Sequence, residues 1–231
     1  MNILKSVSIF LLIIFLTLFL SGCELNEREN QTVEDKITEE INYIENKILT
    51  FFSMYAKKEY GENEKLNWDL IEENMIELNG VLDTVILDMS EKEISNEDII
   101  NFKDGVNRLS IGTSNKDINV VLEEYRNLYS ILPKFAEKAF RNKNEVKQLN
   151  LKNLVVSSYV YSELLNWGIA KETIDSAEVI YKEMMDDLDY MKEFSYNLNK
   201  VFVLISEMKN AIYLEELELT KIKYVNFIEK I

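Results

Sequence analysis

Six glycines and one proline among 231 residues are the strongest constraint on what this chain can fold into. Tight turns, β-hairpins and phosphate-cradling loops draw on these two residues, which ordinarily make up about 7% and 5% of a protein. Apolar residues meanwhile recur every three or four positions along most of the chain, the spacing that puts them on one face of an α-helix. The combination predicts an all-α fold, an antiparallel helical bundle with short links. Hydrophobic residues at 47% are ample for its core.

The spacing predicts eight helices. Val33, Ile37, Ile41, Ile44, Ile48, Phe51, Phe52 and Tyr55 mark the first, which ends near Tyr60-Gly61, and Ile71 to Met89 the second. A third with Ile99, Phe102, Val106 and Leu109 starts at Ser95 or Asn96 and stops at Gly112. The fourth begins at Ser114, where Ser114-x-x-Asp117 can satisfy free amides, and ends at Pro133, because proline disfavours helix at the residue before it. The remaining stretches run from Phe135 to Tyr159 with a bend at Asn142 and Asn144, from Ile174 to Met191, from Phe194 to Ile212, and from Leu217 to Ile231.

Leu66-Asn67-Trp68 recurs as Leu165-Asn166-Trp167, a displacement of 99 residues. The same displacement, without a gap, lays Tyr125 on Tyr224, Met75 on Ile174, Leu109 on Met208, and Leu132, just before Pro133, on Ile231. Two tandem related four-helix units are therefore expected, residues 33–132 and 133–231. Asn67 and Asn166 are placed to cap the helices that follow, with Leu66 and Leu165 packing back as staples.

The N-terminus has the three-part layout of a secretory signal: Lys5, an apolar run from Val7 to Leu20, then small residues. About 15 apolar residues are too few for a comfortable span of ~20. Leu20-Ser21-Gly22-Cys23 resembles the lipobox of bacterial lipoproteins. That resemblance implies a signal peptide of residues 1–22, cleavage between Gly22 and Cys23, diacylglycerol on the Cys23 sulfur, palmitate-type acyl chains, and residence on the extracytoplasmic face of the cell membrane. Two chains supply the double hydrophobic signal that stable anchoring requires. The competing readings of these residues are an ordinary signal peptide ending at a free thiol and an uncleaved anchor. Residues 23–32, polar and without apolar period, read as the lipidated tether. Cys23 is the only cysteine, so a lipidated chain has no disulfide.

Removing residues 1–22 takes away one lysine and no acid, which moves the formal charge from −15 to −16. A body this acidic repels nucleic acid and anionic headgroups. The run Lys134, Lys138, Arg141, Lys143, Lys147 and Lys152, opposed only by Glu137 and Glu145, is a solvated helix face or a surface for an acidic neighbour. Glu72-Glu73, Asp186-Asp187-x-Asp189 and Glu215-Glu216-x-Glu218 lack the alternating ligands and glycine of a calcium loop, and read as solvated faces.

With no histidine in the chain, Ser-His-Asp and Cys-His arrangements and histidine-bearing metal sites are impossible. No cofactor, metal site or catalytic residue is expected. The expectation is a non-enzymatic, membrane-anchored lipoprotein that binds or scaffolds a partner protein or cell-envelope component. Its rivals are a small-ligand-binding lipoprotein associated with transport and a carboxylate-dependent hydrolase. Trp68, Trp167, Tyr125 and Tyr224 are the residues that would line a groove for ligand or partner; the competing reading, which their helical spacing favours, makes them core anchors.

Overall fold

The computed structural model describes residues 33–58, 66–92, 94–139, 142–186 and 188–230. The expected signal peptide of residues 1–22, Cys23 and the rest of the expected tether lie outside them. Every regular element among the described residues is an α-helix: α1 Val33–Lys58, α2 Trp68–Glu91, α3 Asn96–Ser114, α4 Ile118–Ala139, α5 Lys143–Glu163, α6 Trp167–Asp186, α7 Leu188–Tyr213 and α8 Leu217–Ile228. Together they make the all-α bundle that the periodicity predicts, and residues 37–231 form one compact unit.

Each helix packs on the next from α2 to α8, and α5 also reaches α7 and α8. That central position explains its composition. Val155, Val156, Ser157, Ser158, Tyr159 and Val160 are consecutive and all buried, as expected of a helix covered on every side. Buried small residues, Ser158 and Ser162 on α5, Ala170 and Ala177 on α6, let those two backbones approach closely. In α3, a Cβ on Gly105 would lie 2.9 Å from Leu128 Cδ2, and one on Gly112 would lie 2.7 Å from Val120 Cγ1. Glycine lets α3 seat closely on α4 at both places, most strictly at Gly112, where the neighbour is a β-branched valine rather than the far end of a flexible leucine. The first helix is different: its contact stripe is large, with Ile37, Ile41, Ile44, Ile48, Phe51 and Phe52 fully buried.

Scarce glycine does not prevent tight links. Between α3 and α4 the Lys116 amide donates to the Thr113 carbonyl at 3.0 Å and the Asp117 amide to that of Gly112 at 2.9 Å. Between α5 and α6, Leu165 donates to Ser162 at 2.9 Å and Asn166 to Tyr161 at 2.8 Å; between α7 and α8, Glu215 donates to Ile212 at 3.1 Å and Glu216 to Ala211 at 3.2 Å. All three are Schellman closures, with left-handed φ of 55° at Lys116, 56° at Leu165 and 57° at Glu215. The residue after each then opens the next helix, its carbonyl accepting from Val121, Ala170 or Thr220.

Several boundaries differ from the sequence reading. The third helix runs through Gly112 to Ser114, because that glycine lies in the α3–α4 contact. Asp117, not Ser114, caps α4, its Oδ1 accepting from the amides of Asn119 at 3.1 Å and Val120 at 3.3 Å. Pro133 lies inside α4. Proline in a helix interior costs about 3 kcal/mol. Burial of Phe135, Ala136 and Ala139 beyond it offsets this, with Phe135 edge-on to Phe102 at 5.5 Å. The helix therefore crosses the expected unit boundary at 132/133 and runs to Ala139, and α5 starts at Lys143, with Asn142 capping it through the Asn144 amide at 2.9 Å. Asn142 and Asn144, where a bend is expected, thus stand at the start of a separate helix. Leu188 and Met191 belong to α7 rather than to the helix before it.

Candidate functional site

Tyr125 and Tyr224, expected in a groove or in the core, are fully buried. Tyr125 on α4 stacks on Phe51 of α1 at 4.0 Å and 14°; Tyr224 on α8 stacks on Tyr159 of α5 at 4.0 Å and 9°. Neither hydroxyl, nor that of Tyr159, has a hydrogen-bond partner among the described residues. Burial pushes the pKa of Tyr125 and Tyr224 well above the ordinary phenol range. Trp68 and Trp167 are half-buried at the first positions of α2 and α6, packed against the core. Asn67 caps α2, its Oδ1 accepting from the Leu70 amide at 3.3 Å. Leu66 packs against the core, whereas Leu165 is exposed and left-handed, so the staple forms in front of the first tryptophan and not the second. The left-handed turn directs Leu165 away from the helix it precedes.

Around the stacks the interior carries charge that the sequence reading did not single out. Glu45 of α1 accepts from the Tyr129 hydroxyl of α4 at 2.9 Å and from Lys152 of α5 at 3.1 Å. Glu163 at the end of α5 accepts from Tyr55 of α1 at 3.2 Å. It also faces Lys221 of α8 at 3.7 Å, the two side chains being only 5% and 6% exposed. Burial, then the neighbouring carboxylate, raises the pKa of Tyr129 beside Glu45 and of Tyr159 beside Glu163. Each carboxylate is thus matched by a lysine and a tyrosine from other helices. The arrangement locks α1, α4, α5 and α8 together and fixes their register, and removing one partner of such a pair strands a buried charge. A signal was present: Glu45 lies four residues after Ile41, Glu163 four after Tyr159, and Lys221 four after Leu217, all in step with apolar stripes.

The basic run is partly absorbed in the same way. Lys134 pairs with Asp98 at 2.5 Å and Lys152 with Glu45, while Lys138 and Lys143 are exposed and Arg141 lies outside the described residues. Of the acidic groups, Glu72 and Glu73 are exposed. Glu215 pairs with Lys171 at 2.7 Å and Glu218 with Lys221 at 3.4 Å; Asp187 and the side chain of Asp189 lie outside the described residues. A second surface network joins α6 to α7: Lys209 bridges Asp175 at 2.8 Å and Glu178 at 2.6 Å, and the Tyr213 hydroxyl donates to Asp175 at 2.7 Å. Hydrogen bonds from Lys182 and Lys209 lower the pKa of Glu178. Among the described residues no group of three or more acidic, cysteine or histidine side chains is placed to hold a metal ion, and no helix is long and apolar enough to cross a membrane. No protein-family model matches the chain, nor does any curated protein or solved structure.

Proposed function

We propose that the chain is a lipoprotein anchored through Cys23 on the extracytoplasmic face of a cell membrane, whose helical body binds a partner protein or envelope component without catalysing a reaction. The observation that carries this reading is Leu20-Ser21-Gly22-Cys23 at the end of the apolar run. Its position relative to the body supports it. Ten tether residues, 23–32, reach at most about 35 Å before α1 begins at Val33. The helix they enter has a fully buried stripe and side-chain bonds to three other helices. An anchor attached there holds the body by its core and close to the bilayer. The buried carboxylates Glu45, Glu124 and Glu163 are each engaged by a side chain of another helix, which suits a rigid binding body.

Cys23→Ser removes the thiol that lipidation requires. The variant is expected to incorporate no labelled palmitate and to leave the detergent phase that retains the wild-type protein. Equal labelling and equal partitioning of the two would overturn the anchor.

A further inference from the structure

The α2–α3 hairpin turns four large aliphatic side chains away from the core. Ile76 and Leu87 stand fifteen and four residues before the end of α2 at Glu91; Ile111 and Ile100 stand fifteen and four residues after the start of α3 at Asn96. The two helices are packed neighbours joined by four residues, so they run antiparallel and bring Ile76 level with Ile111 and Leu87 level with Ile100. These side chains are 58%, 61%, 68% and 57% exposed. The buried stripe of α2, including Met75, Leu78, Leu82 and Val85, lies on its opposite side. Between the two aliphatic rungs Gly80 is level with Asn107 and Asp83 with Asp104, all exposed.

Single exposed aliphatics are ordinary, but two matched rungs on one face are a patch. Gly80 is a second observation. A glycine in mid-helix destabilises the helix relative to alanine. Gly105 and Gly112 have a reason in α4, whereas a Cβ on Gly80 would meet nothing within 4 Å. Nothing among the described residues calls for the glycine; a helix laid across the face would. The second hairpin shows what these positions hold otherwise. At the 99-residue displacement, Ile76, Leu87, Ile100 and Ile111 correspond to Asp175, Asp186, Asn199 and Asn210. The exposed Val179 and Val203 there are bordered by the Lys182 and Lys209 ion pairs.

Acids dominate the charge on the α2–α3 face. Glu72, Asp83 and Asp104 have no ion-pair partner within 4.0 Å among the described residues; by helical spacing Lys103 lies to one side of the row, and Arg108, which feels the charge of Asp104, is held by Glu124 at 2.7 Å. We propose that this face docks an amphipathic helix of a partner protein, with apolar residues about three turns, or ~16 Å, apart and lysine or arginine between them. A second copy of this chain is a poor occupant, because a symmetric contact sets acid against acid. The proposal rests on the partner-binding reading above.

The test uses the full-length chain in its native membrane, with a photoreactive phenylalanine analogue at Gly80 and, in separate proteins, at Val179 and at Lys138. The expected result is a crosslink from position 80 to a partner whose captured segment, read by mass spectrometry, carries basic residues flanked by large aliphatics. Gly80→Arg enters open space, so helix content and melting temperature should hold or rise while recovery of that partner falls at least about tenfold. A crosslink from 179 or 138 with none from 80 leaves the partner-binding reading standing and removes this face. No crosslink from any position removes both. Capture at position 80 of a second copy of the chain, or of an acidic segment, overturns the proposed occupant.

Discussion

The turns that join α3 to α4 and α7 to α8 are built alike, whereas the links that join α1 to α2 and α5 to α6 are not. Lys116 and Glu215, 99 residues apart, carry φ of 55° and 57°, and every amide in one turn finds the carbonyl its counterpart finds in the other. By contrast α5 reaches α6 through the three residues 164–166, while 59–67 separate α1 from α2. The aromatic stacks register this difference. Tyr125 and Tyr224 are 99 residues apart, but their partners Phe51 and Tyr159 are 108 apart; six of the nine extra residues are the longer first link and three the longer run of α1 beyond Phe51. We propose that α1–α4 and α5–α8 are tandem copies that differ by nine residues inserted between Phe51 and Trp68. The comparison teaches that apolar spacing on both sides sets these turns, since lysine, leucine and glutamate all occupy the left-handed position that glycine usually fills.

The largest expected effect is loss of the whole fold in alkali. Burial raises the folded-state pKa of Tyr125, Tyr129, Tyr159 and Tyr224 above the unfolded value of about 10. Their contribution is therefore fully present below that pH and lost above it, as the unfolded chain releases protons that the folded one keeps. Tyrosinate absorbance and helix circular dichroism should change together in a pH titration; ionisation of all tyrosines with helix retained would show that these four are not sealed.

Next comes Gly112→Ala, which should cost about 1–3 kcal/mol because Val120 is β-branched and cannot swing aside, although Ala211 occupies the corresponding position of the other half. Denaturant unfolding without loss would mean that the α3–α4 contact is no tighter than α7–α8. Trp68→Ala and Trp167→Ala should each lose about 2 kcal/mol, below the ~3–5 of a fully buried aromatic, because both are half-buried. A large inequality between them would break the equivalence of the two helix starts. The smallest effect is a gain: Lys116→Gly and Glu215→Gly should each stabilise by roughly 1 kcal/mol, and equal shifts in denaturation midpoint would sharpen the match between the turns.

The helices were legible because most of them have one buried face. Ile37 to Phe52 on α1 and Ile71 to Met89 on α2 are periodic and buried as read. Legibility failed where local chemistry and packing disagree. Pro133 reads as a stop, yet Phe135 and Ala139 have a core to enter, so the helix goes on. The end of α5 is buried on every side, which erases its period. Tyr125 and Tyr224 were picked out by the repeat, and their burial follows from the apolar stripes they share. Glu45, Glu163 and Lys221 are not legible in the sequence, because a charged residue on an apolar stripe is visible as a partner only once the facing helix is known. The α2–α3 surface escaped for a related reason: Ile76 and Leu87 fall out of step with their own helix, and only the antiparallel pairing sets them beside Ile111 and Ile100.

The most direct test of the account is the mass of the N-terminal peptide from protein extracted from its own membrane. The account predicts a chain that begins at Cys23 and carries diacylglycerol on that sulfur. An unmodified Cys23, or a peptide that still includes residues 1–22, would contradict it.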